Sequence, residues 1–371
     1  MTKQSLSASA SLLTLALALT LGVAPAAQAS DAAPAAQAWD ARASDARGTS
    51  ARTADGHAPG GRSHDGPAPG GRAGAVRIST AFGLPSAKAF PEGIAADPRT
   101  GAVYVGSYTD GTVYRARPGA REAEVFLPSG TDGRHTANGL RVDAHGRLWV
   151  TDSTSGVSVY DTRSGARLAH FEIQGSGPRF LNDLAITPDG TAYLTDSARA
   201  VVYRVTPDQL AAGSGPLLPA YDLSGRLTPS PAGSFSLNGI TADPAGRYLL
   251  TADMTAGDLY RIDPRSGAVS RVALSGGDLK TADGLDLAPG GVLRAAQNTR
   301  NTLSRWQVSA DGTRARLVRT VTDPSLQIPT TLAQVPGGRT LVVRSQFDKD
   351  GGPMPSTGAP TAFTIAAVRG L

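Results

Sequence analysis

Six stretches of the chain are copies of one another. EGIAADPRTGAVYVGS, NGLRVDAHGRLWVTDS, NDLAITPDGTAYLTDS, NGITADPAGRYLLTAD, DGLDLAPGGVLRAAQN and TTLAQVPGGRTLVVRS open at Glu92, Asn138, Asn182, Asn238, Asp283 and Thr330, in steps of 46, 44, 56, 45 and 47 residues. A recurrence of this length decides the architecture before any single motif does, because each copy is one unit that must bury its apolar side on the next. Within a copy, a short apolar run leads to a turn and then to a second apolar run such as Leu148-Trp149-Val150. Pro98, Pro188, Pro244, Pro289 and Pro336 stand six residues after the opening position and Gly follows within three, as tight hairpin turns require. Further strands follow, VVYRV from Val201, DLYRID from Asp258 and TLSRWQV from Thr302, with no helical periodicity between them. The pattern predicts an all-β fold, a six-bladed β-propeller over residues 75–371. VRISTAF from Val76 is expected to complete the last blade beside FTIAAV from Phe363, closing the ring and removing its exposed sheet edges.

Ahead of that domain the chain reads differently. Lys3, an apolar run from Leu12 to Val23 and the small-residue signature Ala27-Gln28-Ala29 read as a signal peptide over 1–29, too short to span a bilayer, so a secreted protein without a membrane anchor is expected. Residues 30–74 are an Ala-, Gly-, Pro- and Arg-rich segment with APGGR at Ala58 and again at Ala68, expected to be a disordered spacer whose His57 and His64 are solvent residues. The absence of Cys excludes disulfides, thiolate metal sites and a cysteine nucleophile. The net charge of +5 rests on arginines scattered one at a time, not on a basic patch interleaved with aromatics, so no nucleic-acid partner is expected. No G-x-S-x-G supports a serine hydrolase, and the glycines punctuate turns without a following helix to cradle phosphate. The protein is expected to be a monomer, with a small molecule as its partner.

In a propeller the innermost strand of each blade faces the central channel, so the six opening residues should meet at one rim of it. They are two carboxylates, three amides and a hydroxyl, with no apolar residue among them. Oxygen donors converging on one point describe a hard-cation site, and the lack of Cys and His among them argues against zinc or copper. A plainer reading stands beside this one. Asn-Gly and Asp-Gly are ordinary turn chemistry, although Glu92 is not a turn residue.

FPEGIA at Phe90, FLNDLAI at Phe180, LNGI at Leu237 and ADGL at Ala282 resemble the senescence marker protein (regucalcin), gluconolactonase and luciferin-regenerating enzyme family of calcium-dependent hydrolases. The resemblance covers roughly residues 85 to 350. It implies a calcium ion, or another divalent cation, in the channel, held by Glu92, Asn182, Asn238 and Asp283. It also implies hydrolysis of a lactone or activated ester with the cation polarising the carbonyl, Asp283 as first candidate for the base that activates water and Glu92 as second. Asn138, Asp183, Arg179, Thr330 and His135 are the candidate substrate-binding residues. Two readings compete with the enzyme: a propeller whose face binds protein or glycan without chemistry, and one whose calcium is structural. The Thr-Asp pairs at Thr151-Asp152 and Thr195-Asp196 are expected to cap turns.

Overall fold

The structure, a computed structural model, describes residues 75–371. The signal-peptide and spacer readings therefore lie outside the described residues. After β1 (Arg77–Gly83) comes an antiparallel meander of β2 (Pro91–Ala96), β3 (Val103–Ser107), β4 (Val113–Ala116) and β5 (Glu124–Leu127). An eight-stranded sheet follows. It consists of β6 (Leu140–Val142), β7 (Arg147–Asp152), β8 (Gly156–Asp161) and β9 (Arg167–Ile173), then β10 (Leu181–Ile186), β11 (Ala192–Asp196), β12 (Val201–Val205), the short helix α1 (Pro207–Ala212) and β13 (Ser214–Asp222). Its two meanders are joined edge to edge where β13 runs parallel to β9. Next stand β14 (Leu237–Ala242), β15 (Leu249–Asp253), β16 (Asp258–Ile262) and β17 (Val269–Arg271). The strand β18 (Ala273–Ser275) pairs with the outer edge of β19 (Ala282–Ala288), β20 (Val292–Gln297), β21 (Thr302–Val308) and β22 (Arg314–Thr322). Finally β23 (Leu332–Val335), β24 (Arg339–Val343) and β25 (Thr364–Arg369) form a sheet whose fourth strand is β1, antiparallel to β25 with Arg77 opposite Arg369.

The chain's first strand thus seals its last sheet, as VRISTAF was expected to do. The innermost strands touch in the cyclic order β2, β6, β10, β14, β19, β23 and back to β2, giving an all-β, propeller-like arrangement. Apolar clusters fill the spaces between neighbouring meanders: Tyr104 packs with Leu148 and Tyr160, Trp149 with Leu184 and Leu194, and Leu250 with Leu285 and Leu293. Strands such as β11 are buried on both faces, which is why AYLTD shows no clean alternation. Each fully buried Leu, Val or Phe contributes about 1.5–3 kcal/mol, and with no cysteine in the chain this packing holds the ring. No helix among the described residues is long and apolar enough to cross a membrane.

The hairpin turns form as the sequence implies. Asp143 Oδ1 accepts from the backbone N–H groups of His145 and Arg147 at 2.9 and 3.0 Å, and Asp97 Oδ1 from that of Arg99 at 2.9 Å. The long step of 56 residues holds the unexpected helix. Thr206 and Gln209 form a capping box around Pro207, a sequence signal for a helix start that the repeat pattern masks.

Two expectations change. The glycines after Asn138, Asn238 and Asp283, read plainly as turn residues, are not, since none has positive φ and all stand in or beside an innermost strand, as does Gly93 after Glu92. A Cβ on Gly93 would lie 1.7 Å from the Asn138 carbonyl oxygen, and one on Gly239 2.2 Å from that of Asp283. These glycines let adjacent innermost strands close on the axis. In the Thr-Asp pairs only the acid caps a turn, Asp152 Oδ1 accepting from Thr154 N at 3.0 Å and Asp196 Oδ1 from Ala198 N at 3.0 Å. The threonines instead bridge neighbouring strands of the ring, Thr151 Oγ1 donating to the Asn182 carbonyl at 2.5 Å and Thr195 Oγ1 to that of Asn238 at 2.7 Å.

Candidate functional site

Four of the six innermost strands carry a β-bulge at their opening residue. Pairing slips by one residue between Pro91 and Ile94 in β2, Leu181 and Leu184 in β10, Leu237 and Ile240 in β14, and Ala282 and Leu285 in β19. The residues left in the slips are Glu92-Gly93, Asn182-Asp183, Asn238-Gly239 and Asp283-Gly284. A bulge releases a residue from the ladder and re-aims its side chain, so these strands tolerate amides and carboxylates that a regular strand disfavours.

Glu92, Asn182, Asn238 and Asp283 line one pocket of about 310 Å³, counted out to its open mouth. All four are buried. Glu92 Oε2, Asn182 Oδ1 and Asn238 Oδ1 have no hydrogen-bond partner. Their orientation is fixed from behind. Ser197 donates its hydroxyl hydrogen to the Leu237 carbonyl, so it accepts from Asn182 Nδ2 at 3.0 Å, and the Asn182 oxygen is left for the pocket. Asn238 Nδ2 is held 3.2 Å from Met254 Sδ, and Asn298 Nδ2 donates to Asp283 Oδ2 at 2.8 Å. An unsatisfied buried polar atom costs about 1–3 kcal/mol, so three of them from three strands of the ring need an occupant. Neutral and anionic oxygens suit a hard divalent cation, which makes this donor set fit calcium. No group of three or more His, Cys, Asp or Glu among the described residues is placed to hold a metal; two of the four candidates here are amides.

The electrostatics agree with that need. Burial, then the charges of Asp283 and Asp183, push the Glu92 carboxyl well above the usual range, with Arg141 opposing. Burial raises Asp283 to about 7, against the hydrogen bond from Asn298. Two buried carboxyls without a countercharge cannot both ionise cheaply, and a bound divalent ion would supply that countercharge.

An aromatic wall stands over these oxygens. Phe347, Tyr108, Phe180 and Phe235 form a chain of rings with centroids 5.2, 6.4 and 4.6 Å apart, and Pro353 adds to it. Burial, with the Glu92 charge beside it, pushes the Tyr108 phenol up to about 12, so it is a neutral donor at ordinary pH.

Asp183 is buried but does not line this pocket. Its Oδ2 accepts from Arg141 Nη2 at 3.3 Å and its Oδ1 from the Leu184 N–H at 2.8 Å. Arg141 Nη1 donates to the Leu140 carbonyl at 2.8 Å and Nη2 reaches toward that of Leu285 at 3.5 Å, so one guanidinium ties β6, β10 and β19 across the ring. The other candidates lie elsewhere. Thr330 Oγ1 donates to the Glu92 carbonyl at 2.7 Å. Asn138 is fully buried, without a partner at either end of its amide and outside the pocket lining. Arg179 Nη1 donates to the Gly175 carbonyl at 3.0 Å. The His135 ring is 75% exposed, 3.7 Å from Asp152 Oδ2. Sequence reasoning missed Arg141, Asn298 and the four rings. Phe180 and Phe235 carry a faint signal, standing two and three residues ahead of a bulge asparagine.

Solved structures with this fold include a gluconolactonase of Xanthomonas campestris, 20% identical over 80% of this chain and 91% of that one, with a TM-score of 0.58. They also include a calcium-binding protein, regucalcin, of Agrobacterium tumefaciens, 18% identical over 77% and 93%, with a TM-score of 0.54. A virginiamycin B lyase of Staphylococcus aureus aligns over 80% and 99% at 13% identity, with a TM-score of 0.50. No curated protein matches the chain. Residues 90–346 match the SMP-30/gluconolactonase/LRE-like region, a span that contains all four bulge side chains, and the chain belongs to that family.

Proposed function

We propose that the ring is a six-bladed propeller, the eight-stranded sheet counting as two blades, and that it is an exported, monomeric, calcium-dependent hydrolase of a lactone or activated ester. The observation that carries this reading is the set of unpartnered oxygens of Glu92, Asn182 and Asn238, aimed with the Asp283 carboxyl into one pocket. Those four side chains would hold the ion. When bound, the ion supplies positive charge that polarises a carbonyl and stabilises the oxyanion that develops from it.

The chain's own groups do the rest. Asn298 engages Asp283 Oδ2, leaving Oδ1 as the atom that takes a proton from water as the water oxygen bonds to the carbonyl carbon. The acyl C–O bond then breaks and that proton passes to the departing alkoxide. Glu92 is the second candidate for this transfer. The Tyr108 phenol is a neutral donor for a substrate oxygen, and the rings beside it exclude bulk water.

The test is to measure bound calcium in the purified protein, then hydrolysis of lactones, aryl esters and phosphotriesters with and without chelator. Turnover that chelation abolishes and calcium restores, lost together with metal in a folded Asn238→Ala variant, supports the reading. Calcium without turnover across the panel leaves a structural ion, and no calcium at all leaves a binding propeller.

A further inference from the structure

Beside its four oxygen-bearing side chains the pocket is lined by Tyr108, Phe180, Phe235, Phe347 and Pro353. Among its lining residues, the amide nitrogens of Asn182 and Asn238 are already engaged by Ser197 and Met254, and Asp283 by Asn298. That leaves the Tyr108 hydroxyl as the side-chain donor on the wall. Arg179 and His135, which would offer charged donors to a polar ligand, are turned to the Gly175 carbonyl and to Asp152. Facing a ligand are instead Phe347, Tyr108, Phe180 and Phe235, a continuous run of rings.

Resting on the hydrolase reading above, we infer that this pocket takes an apolar, aryl- or alkyl-bearing lactone or ester and discriminates against polyhydroxylated sugar lactones. A sugar lactone entering here would lose the water around several hydroxyls, and one phenol cannot replace it. An apolar pocket rejects one added hydroxyl only about a hundredfold, so the discrimination builds up over the several hydroxyls of a sugar lactone that find no partner. An aryl ring would gain burial and edge or offset stacking on Phe180 and Phe235, whose own centroids are 4.6 Å apart.

The calcium-loaded full chain is assayed with dihydrocoumarin and with gluconolactone, and titrated in a calorimeter with dihydroquinolinone, the lactam counterpart of dihydrocoumarin, which resists hydrolysis. The expected kcat/KM for dihydrocoumarin exceeds that for gluconolactone by at least about tenfold. The lactam binds saturably. Phe180→Ala weakens that binding about tenfold without changing calcium affinity, and Phe180→Leu recovers part of the loss. Lactam binding with no turnover of either lactone sustains the apolar pocket and removes the hydrolase reading. Turnover of gluconolactone equal to or above that of dihydrocoumarin overturns the inference while the hydrolase reading survives. A lactam that does not bind overturns the inference whatever the lactones do.

Discussion

The innermost strands β2, β10, β14 and β19 differ from β6 and β23 in one respect: the first four pair on both sides of their opening residue, with a slip of register across it, whereas β6 and β23 begin only two residues after Asn138 and Thr330. The repeats open alike, with a polar side chain in all six, yet only the four whose first strand begins ahead of it bring that side chain to the pocket. In β23 the equivalent hydroxyl of Thr330 is spent on the Glu92 carbonyl. In β6, Asn138 lies beside the ring's axis with nothing to orient its amide, whereas Asn182 and Asn238 are each held by a partner behind them. The difference teaches that a polar rim residue is presented to the pocket through two things together, a strand that pairs on both sides of the slip and a supporting contact that fixes which atom it presents.

The comparison breaks most directly at the asparagines. Asn238→Ala and Asn182→Ala should each weaken calcium binding by well over about a hundredfold, while Asn138→Ala changes it by less than about fivefold. Calorimetry or competition with a calcium-sensitive dye separates the cases, and equal losses at all three positions would erase the distinction between strands that begin ahead of the opening residue and those that begin after it.

Protons sharpen it next. Without calcium, Asp283 has a folded-state pKa near 7, above its value of about 3.9 in the unfolded chain, and Glu92 is raised as well. The folded protein then holds protons that the unfolded chain has released. Stability is therefore full below the unfolded pKa and is lost as pH rises through the folded one. The ion-free protein should lose on the order of 2–3 kcal/mol between about pH 5 and pH 8, a loss that saturating calcium cancels. Asp283→Asn should flatten the slope; denaturant melts across that range with and without chelator measure it.

How much of this was legible beforehand follows from what each signal reports. The repeat, the turns and the closing strand β1 were readable because hairpin punctuation and apolar runs are local facts of sequence. The six opening residues were readable as a set because the period aligned them, and the resemblance to the family singled out four of them. What stayed hidden depended on pairing register. Nothing local distinguishes NGL at Asn138 from NGI at Asn238, and whether the first strand begins ahead of its asparagine or after it is decided by where it meets its second. The ring-forming aromatics were hidden for a related reason. Tyr108 and Phe347 follow β3 and β24, and Phe180 and Phe235 precede β10 and β14, so only the closed ring brings them together. Arg141 looked like one scattered arginine among many until its guanidinium proved to cross to Asp183.

The glycine behind a bulge offers a smaller effect. Gly239→Ala drives a Cβ to 2.2 Å from the Asp283 carbonyl oxygen and 2.9 Å from the Leu285 side chain, so β14 and β19 must part. A loss of about 1–3 kcal/mol in stability is expected, together with weaker calcium binding, because the displaced carbonyl belongs to a candidate ligand. Gly225→Ala, where an added Cβ meets nothing within 4 Å, should change stability by no more than about 0.5 kcal/mol. Chemical denaturation of the two variants decides whether the rim glycines serve close approach.

The opening residue ahead of β23 gives the smallest expected change. The Glu92 carbonyl accepts from Thr330 Oγ1 at 2.7 Å and also from Thr331 Oγ1. Thr330→Val removes the first donor, keeps the side chain's shape and leaves the second in place, so the carbonyl remains satisfied. The loss should stay under about 1 kcal/mol, with calcium affinity within about threefold of the parent. The double change with Thr331→Val strips both donors and should cost more than the two single changes added together, because only then is the carbonyl left unpaired. An additive result would mean the two hydroxyls act separately, and Thr330 would then have to be weighed again as a residue that faces the channel.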